Sequence, residues 1–245
     1  MELLYDIALF FYHLLIRVTA PFHRKSRLMV TGRRNWQEEL RRRRLPGETY
    51  VWVHCASLGE FEQGRPLIEA LRKEKPGLKV ALTFFSPSGY EIRKNYPQAD
   101  LVAYLPFDTR RNASAFTDIL RPSVAFFVKY EFWFHTLEAL HQQNIPVYLV
   151  SGIFRKSQPF FSDTPWGKWY RQVLARFTHL FVQDENSEQL LRTIGISRCT
   201  VSGDTRFDRV AAIADGSQPL PLVDKFSGGD RKSTRLNSSH VSQSR

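Results

Sequence analysis

Cysteine is nearly absent from this 245-residue chain: Cys55 and Cys199 are the only two. Neither belongs to a CxxC pair, so a disulfide framework is excluded and a reducing, cytosolic compartment is the natural reading. The sequence holds no GxGxxG, no Walker loop, no HExxH and no G-x-S-x-G. Its seven histidines include no ligand-spaced pair beside a carboxylate, so no catalytic metal is expected. There is no internal repeat. The first long apolar run, "LLYDIALFFYHLLI" (3–16), is short for a membrane span, which takes roughly 20 residues. No small-residue cleavage site follows it, which argues against a removable signal peptide.

Acidic residues are also scarce, 24 against 35 Lys and Arg, for a net charge of +11. That excess is local. Between Arg17 and Arg44 lie ten Lys or Arg against Glu38 and Glu39, so this block holds eight of the eleven charges. An apolar helix over 1–22, followed by a basic segment over 23–48, fits an anchor on a cytosolic leaflet, with anionic lipids as its partner. On that helix Asp6, His13 and Arg17 share one face. The alternative is a core helix followed by a solvated basic helix, "RRNWQEELRRRR". Nucleic acid is not the expected partner, because Phe22 and Trp36 are the only aromatics in the block and form no stacking platform.

From Tyr50 onward apolar runs alternate with amphipathic stretches. Strands are expected at 50–54, 79–85, 101–105, 124–128, 146–150, 179–183 and 199–203, with helices near 61–74, 88–95, 110–120, 133–143, 166–176 and 187–194. Strand and helix in turn, with strands apolar on both faces, predict an α/β domain over 49–210, a Rossmann-like parallel sheet covered by helices. Residues 211–230 read as a linker, and the Ser-rich stretch 231–245 as a polar tail without the means to bury a core. A linker leading to no second domain suggests a truncated chain.

Ligands of open α/β sheets sit at the carboxyl ends of strands, which directs attention to "CASLGE" (55–60), "SPSGYE" (86–91), "KYEFW" (129–133) and "SGIFRK" (151–156). Glu60 opens a helix, where acidic residues are routine, and also stands at a strand end, where a carboxylate can act as a general base. Ser57 and Gly59 fit a cap and tight turn, or a loop shaped for a ligand. Ser86 or Ser88 caps the next helix, or offers its N–H groups to a phosphate. Lys129 and Glu131 form an ion pair or a site pair, Arg155 gives a fourth loop a cation, and "GDTRFD" clusters Asp204, Arg206 and Asp208, for salt bridging or for holding an anion.

Four pieces, "WVHCASLGEFEQGRPLI", "FFSPSGYE" with "YLPFDT", "YEFWF", and "SGDTRFDRV" preceded by "VQDENSEQLL", together resemble the amino-terminal half of the bacterial Kdo (3-deoxy-D-manno-octulosonic acid) transferases of lipopolysaccharide assembly. The resemblance runs from about residue 3 to 225. It implies the amino-terminal, acceptor-binding domain of a GT-B glycosyltransferase, inverting and free of metal and other cofactors. The donor it implies is CMP-Kdo, the acceptor a lipid A precursor, and the place the cytosolic face of the inner membrane. It also implies Glu60 as the general base and Glu131 as an acidic residue that steadies the transition state. Arg206 falls where many members have Lys, as the cation that balances a phosphate or carboxylate. Ser57, Gly59, Ser86, Ser88, Lys129 and Arg155 are then substrate-binding candidates. Two competing readings are another GT-B transferase acting on a lipid-linked sugar, and a basic membrane- or RNA-binding module without catalysis.

Overall fold

The computed structural model describes residues 1–207 and Val210. The residues expected to form the linker and tail, 211–245, lie outside the described residues. Each apolar run becomes a strand: Tyr50–Cys55 (β1), Lys79–Phe84 (β2), Leu101–Tyr104 (β3), Pro122–Val128 (β4), Val147–Gly152 (β5), His179–Val182 (β6) and Cys199–Val201 (β7). All pair in parallel, in the order β3-β2-β1-β4-β5-β6-β7. The connecting helices are Leu58–Glu74 (α4), Pro87–Arg93 (α5), Arg110–Leu120 (α6), Phe134–Gln142 (α7), Pro165–Leu174 (α8) and Glu185–Thr193 (α9). Ser86, Thr109, Thr164 and Asp184 begin α5, α6, α8 and α9 as side-chain caps, satisfying N–H groups that the helix itself cannot.

β1 is buried along its whole length, as a central strand covered on both faces must be. Alternation along it sends Tyr50 and Trp52 into one core with Phe116, Phe127, Leu149 and Phe177, and Val53 and Cys55 into the other with Phe61, Ile68 and Leu82. At about 25 cal/mol per Å2 of apolar surface, these two cores are the main source of stability.

Three further helices precede the sheet: Glu2–Thr19 (α1), Arg24–Thr31 (α2) and Trp36–Arg43 (α3). The boundary expected at residue 49 does not divide the structure, because Met1–Arg209 forms one compact unit. The basic segment is folded into it: Leu40 of α3 is 3% exposed within the larger core, and Trp36 packs on Phe116. The alternative of a helix over "RRNWQEELRRRR" is nearer the structure than a juxtamembrane tether, since few apolar side chains suffice to dock a short charged helix. Arg33, between the two, is itself buried.

α1 presents its polar side to the domain and its apolar side outward. Tyr5 donates to Asp108 (2.7 Å), Asp6 meets the His135 ring (2.6 Å), and the His13 ring lies 4.1 Å from that of Phe107. Leu3, Phe10, Phe11, Leu15 and Val18 are each more than half exposed. No single helix among the described residues is long and apolar enough to cross a membrane; α1 and α2 pass that test only as a pair bent by 115°.

Asp108 joins these parts. Its carboxylate is 1% exposed and accepts from the Tyr5 hydroxyl, the His135 and Thr136 backbone N–H groups (3.0 and 2.8 Å) and the Thr136 hydroxyl. Replacing Asp108 with Ala strands four donors in the interior and is expected to lower stability by about 2–4 kcal/mol, read as a lower urea midpoint. Asp108→Asn keeps an acceptor oxygen and is expected to lose less. Equal loss in the two variants would show that packing, not hydrogen bonding, is what Asp108 supplies.

Candidate functional site

The sheet runs outward from its middle in both directions. β1 leads through α4 to β2 on one side, and β4 leads through α7 to β5 on the other. Between β1 and β4 the order reverses, and it is at such a switch point that open α/β sheets take their ligands. The loops that leave these two strands carry Glu60 and Glu131.

Glu60 is the third residue of α4, whose N-cap is Ser57. The Ser57 side chain makes no cap bond to the backbone and instead donates its hydroxyl to the Glu60 carboxylate. Glu60 is therefore both a first-turn acid and a strand-end carboxylate. A Cβ on Gly59 would meet only the Ser57 hydroxyl, at an ordinary contact distance of 3.7 Å, so the position is open. One turn further on, Gly64 lets α4 approach the sheet, where a Cβ would stand 2.9 Å from the Cys55 sulfur.

Glu131 is 9% exposed. Its Oε2 meets His54 Nε2 at 3.2 Å and accepts from the Trp133 indole at 2.6 Å. Lys129 does not pair with it. Its backbone sits in the left-handed region (φ 67°), and its amine lies 6.0 Å from the centre of the Tyr130 ring. Ser151, at the end of the adjacent β5, is also left-handed (φ 57°). For residues other than glycine such conformations cost on the order of 1 kcal/mol each and gather at functional sites.

Ser86 is tied to the β1 loop through its backbone N–H, which donates to the Ala56 carbonyl (2.7 Å), while its hydroxyl accepts from Ser88 N–H and contacts the Ser88 hydroxyl. Phe85 just before it packs its ring 4.6 Å from that of Trp133, so the β1, β2 and β4 ends meet. Arg155 is exposed, and its charge opposes the rise that burial causes in the Tyr130 phenol pKa.

Arg206 is spent within its own segment. It holds Asp204 through Nε (2.8 Å), Nη2 (2.5 Å) and its backbone N–H (3.0 Å). Asp204 in turn accepts from the buried Gln63 amide (2.9 Å), and the Thr205 hydroxyl donates to the Gln63 carbonyl. Asp208 lies outside the described residues. Gln63, His54, Ser151 and Trp133 were not singled out in the sequence. The available signal was a lone polar residue in an apolar setting: His54 inside β1, and Gln63 one turn beyond Glu60. A separate group, Glu2, Asp6 and His135, brings three ligating atoms within 4.8 Å of one another, already engaged by Arg110 on Glu2 and by the Asp6–His135 contact.

A seven-stranded parallel sheet whose order reverses between β1 and β4, covered by helices, is a Rossmann-like α/β domain. The fold is shared with UDP-N-acetylglucosamine 2-epimerases, among them a putative one from Listeria monocytogenes (TM-score 0.54, 13% identity, 73% of this chain and 51% of that one) and one from Neisseria meningitidis bound to UDP-GlcNAc (0.50, 18%, 77% and 54%). The family model of the 3-deoxy-D-manno-octulosonic-acid transferases (kdotransferases) matches residues 30–209, and the chain belongs to that family. It is 30% identical over 165 residues to the transferase of Bordetella pertussis, covering 64% of this chain and 38% of that protein. With the transferase of Aquifex aeolicus the identity is 25% over 159 residues, covering 64% and 40%. The chain thus spans about two fifths of the length of these curated relatives.

Burial pushes the Asp204 carboxyl up, but the hydrogen bonds from Arg206 and Gln63 outweigh it and bring its pKa down to about 2 from 3.8. A depressed carboxylate adds stability that is complete above pH 3.8 and is lost as pH falls toward 2. Arg206→Ala is expected to raise the Asp204 midpoint, seen by carboxyl NMR titration, and to move the acid loss of this segment to higher pH. An unmoved midpoint would show that Gln63 alone sets it.

Proposed function

We propose that this chain carries the acceptor and base side of a Kdo transfer from CMP-Kdo to a lipid A precursor. The observation behind the reading is that Glu60 and Glu131 stand on the two loops of one switch point, with different partners. Glu60 takes the proton from an acceptor sugar hydroxyl as that oxygen attacks the anomeric carbon of Kdo. The bond from that carbon to the CMP phosphate breaks, configuration inverts, and CMP leaves. Glu131 faces the positive charge that develops on the sugar, an electrostatic role that requires it to be in place beforehand. Ser57 orients Glu60. Lys129 and Arg155, both at strand ends, offer cations to the Kdo carboxylate or the phosphate, and Ser86 and Ser88 border the acceptor loop. Arg206 contributes through Asp204 and Gln63, holding the segment against α4. The reaction so written asks for no metal or other cofactor.

Such an acceptor resides in a membrane, and the outward apolar face of α1 supports a place at the cytosolic side of the inner membrane, lying in its surface. Beside that face opens a cavity of about 480 Å3 lined by His13, Arg17, Arg33, Arg34 and Asn112. Arg17 and Arg34 have no carboxylate partner among the described residues. Burial, then Arg17 and Arg33, lower the His13 pKa. Positive charge is thus left uncompensated where anionic lipid head groups would lie.

In a chain extended to the length of its curated relatives, Glu60→Gln keeps the shape and removes the proton acceptor. Transfer from CMP-Kdo to lipid A precursor is expected to fall about a hundredfold to ten-thousandfold, with folding intact; full activity in this variant would remove Glu60 as the base, and activity only with a different nucleotide sugar would favour another GT-B transferase. For the membrane, Phe10→Glu with Leu14→Gln on the outward face is expected to abolish binding to vesicles containing phosphatidylglycerol, since the face that docks on the domain is untouched. Arg17→Gln with Arg34→Gln is expected to remove the salt-sensitive part only. Binding to RNA in place of vesicles would instead favour a non-catalytic basic module.

A further inference from the structure

Within the interior of the sheet runs a chain of polar side chains that no step of the proposed transfer uses. Trp52 and His54 point to the same side of β1, and Thr83 of β2 is the direct register partner of His54. All three are buried. The Trp52 indole donates to the Thr83 hydroxyl oxygen (2.7 Å), and that same oxygen lies 2.8 Å from His54 Nδ1. His54 Nε2 then faces Glu131 Oε2 at 3.2 Å, and Trp133 donates to the same oxygen.

The direction of these bonds follows from what each group can do. An indole N–H only donates, so it occupies a lone pair of Thr83 and leaves the hydroxyl proton to be given away. The remaining partner of that hydroxyl among the described residues is His54 Nδ1. Nδ1 therefore accepts, and the ring proton resides on Nε2, aimed at Glu131. A protonated ring would still donate from Nε2. Oε2 is then held by two N–H donors on opposite sides of the loop, one from β1 and one from the helix start. Oε1 has no hydrogen bond to the protein among the described residues.

We propose that His54 is a positioning residue: its Nε2–H, set by Thr83 and Trp52, fixes the Glu131 carboxylate so that Oε1 is left free for a ligand at the switch point. The role of Glu131 toward a reacting sugar rests on the transferase reading, while the positioning itself does not. The other titratable groups near Glu131 do not replace His54. Cys55 on β1, its thiol pKa raised by burial and then by Glu60 and Glu131, stays a neutral thiol, and Glu60 is itself acidic. On its own loop, the Lys129 amine lies against Tyr130. Removing His54 leaves Trp133 as a single tether on a side chain with several rotatable bonds, and an acid placed to meet developing charge loses effect when its orientation is lost.

The experiment is NMR on this 245-residue chain with no donor or acceptor present. The ring nitrogens of His54 are expected to show the proton on Nε2, with Nδ1 in the accepting state. The Trp133 indole N–H reports where Glu131 sits. Its exchange with solvent is expected to quicken about tenfold in His54→Leu and to stay as in the wild type in His54→Gln, whose amide restores a donor near Nε2. A packing role would not be rescued by Gln in this selective way. If His54→Leu does not fold, Thr83→Val serves: it keeps the shape, removes the hydroxyl that holds Nδ1, and is expected to loosen the ring and quicken Trp133 indole exchange, with the ring proton still on Nε2 opposite the Glu131 carboxylate. A wild-type ring with its proton on Nδ1 and a bare Nε2, or equal Trp133 exchange in the Leu and Gln variants, overturns the proposal. Loss of the Kdo transfer reading, through activity only with a different nucleotide sugar or through binding to RNA in place of vesicles, would leave these measurements standing, so the two failures are told apart.

Discussion

One buried carboxylate, Asp108, determines how the functional loops are held. The N-cap of α7 is Trp133, which has no side-chain cap bond of its own. The N–H groups that a capping Ser or Asp would satisfy belong to His135 and Thr136, and Asp108 satisfies them from the far end of the β3–α6 connection. The Trp133 indole, a donor that could not cap those N–H groups, bonds Glu131. The same carboxylate takes the Tyr5 hydroxyl, whose pKa is raised by burial and then by Asp108, keeping it a proton donor. α1, α7 and the "YEFW" loop thus share one acceptor.

Arg33 does the corresponding work on the other side, as a buried cation without a carboxylate. Its guanidinium donates to the Met29, Phe85 and Leu105 carbonyls and lies 4.8 Å from the ring centres of Phe85, Tyr104 and Phe107. Burial lowers its pKa to about 10, still well above neutrality, so it remains charged. Three carbonyls and three aromatic faces replace its hydration, each aromatic contact contributing on the order of 1 kcal/mol. Because two of those carbonyls end β2 and begin the β3–α6 loop, the basic segment is bound to the sheet, and Phe85, which packs on Trp133, is fixed from behind.

Local pattern was enough for the sheet. Strands buried on both faces read as continuous apolar runs, and "YVWVH", "KVALTFF" and "VAFFV" fall within a residue or two of β1, β2 and β4. The shared face of Asp6, His13 and Arg17 on α1 was also legible, but not its direction, because Asp108, His135 and Phe107 lie about a hundred residues away in sequence. For the same reason the basic block read as a tether: nothing local says that Arg33 has carbonyls waiting for it. At the site, Glu60 and Glu131 came from resemblance, since a first-turn acid and a lone strand-end acid are common. His54 and Gln63 escaped because their meaning lies in Glu131 and Asp204, 77 and 141 residues further on.

The different partners of the two carboxylates bear on how firmly each is held. Ser57 meets Glu60 through a hydroxyl, a group that can both donate and accept. Around Glu131 the partners are N–H groups of His54 and Trp133, and the indole can only donate. Both contacts converge on Oε2, so that oxygen is fixed between β1 and the start of α7. Glu60 is thus held by a single partner that can reverse its hydrogen-bonding role, whereas Glu131 is held at one oxygen from two elements, β1 and the start of α7.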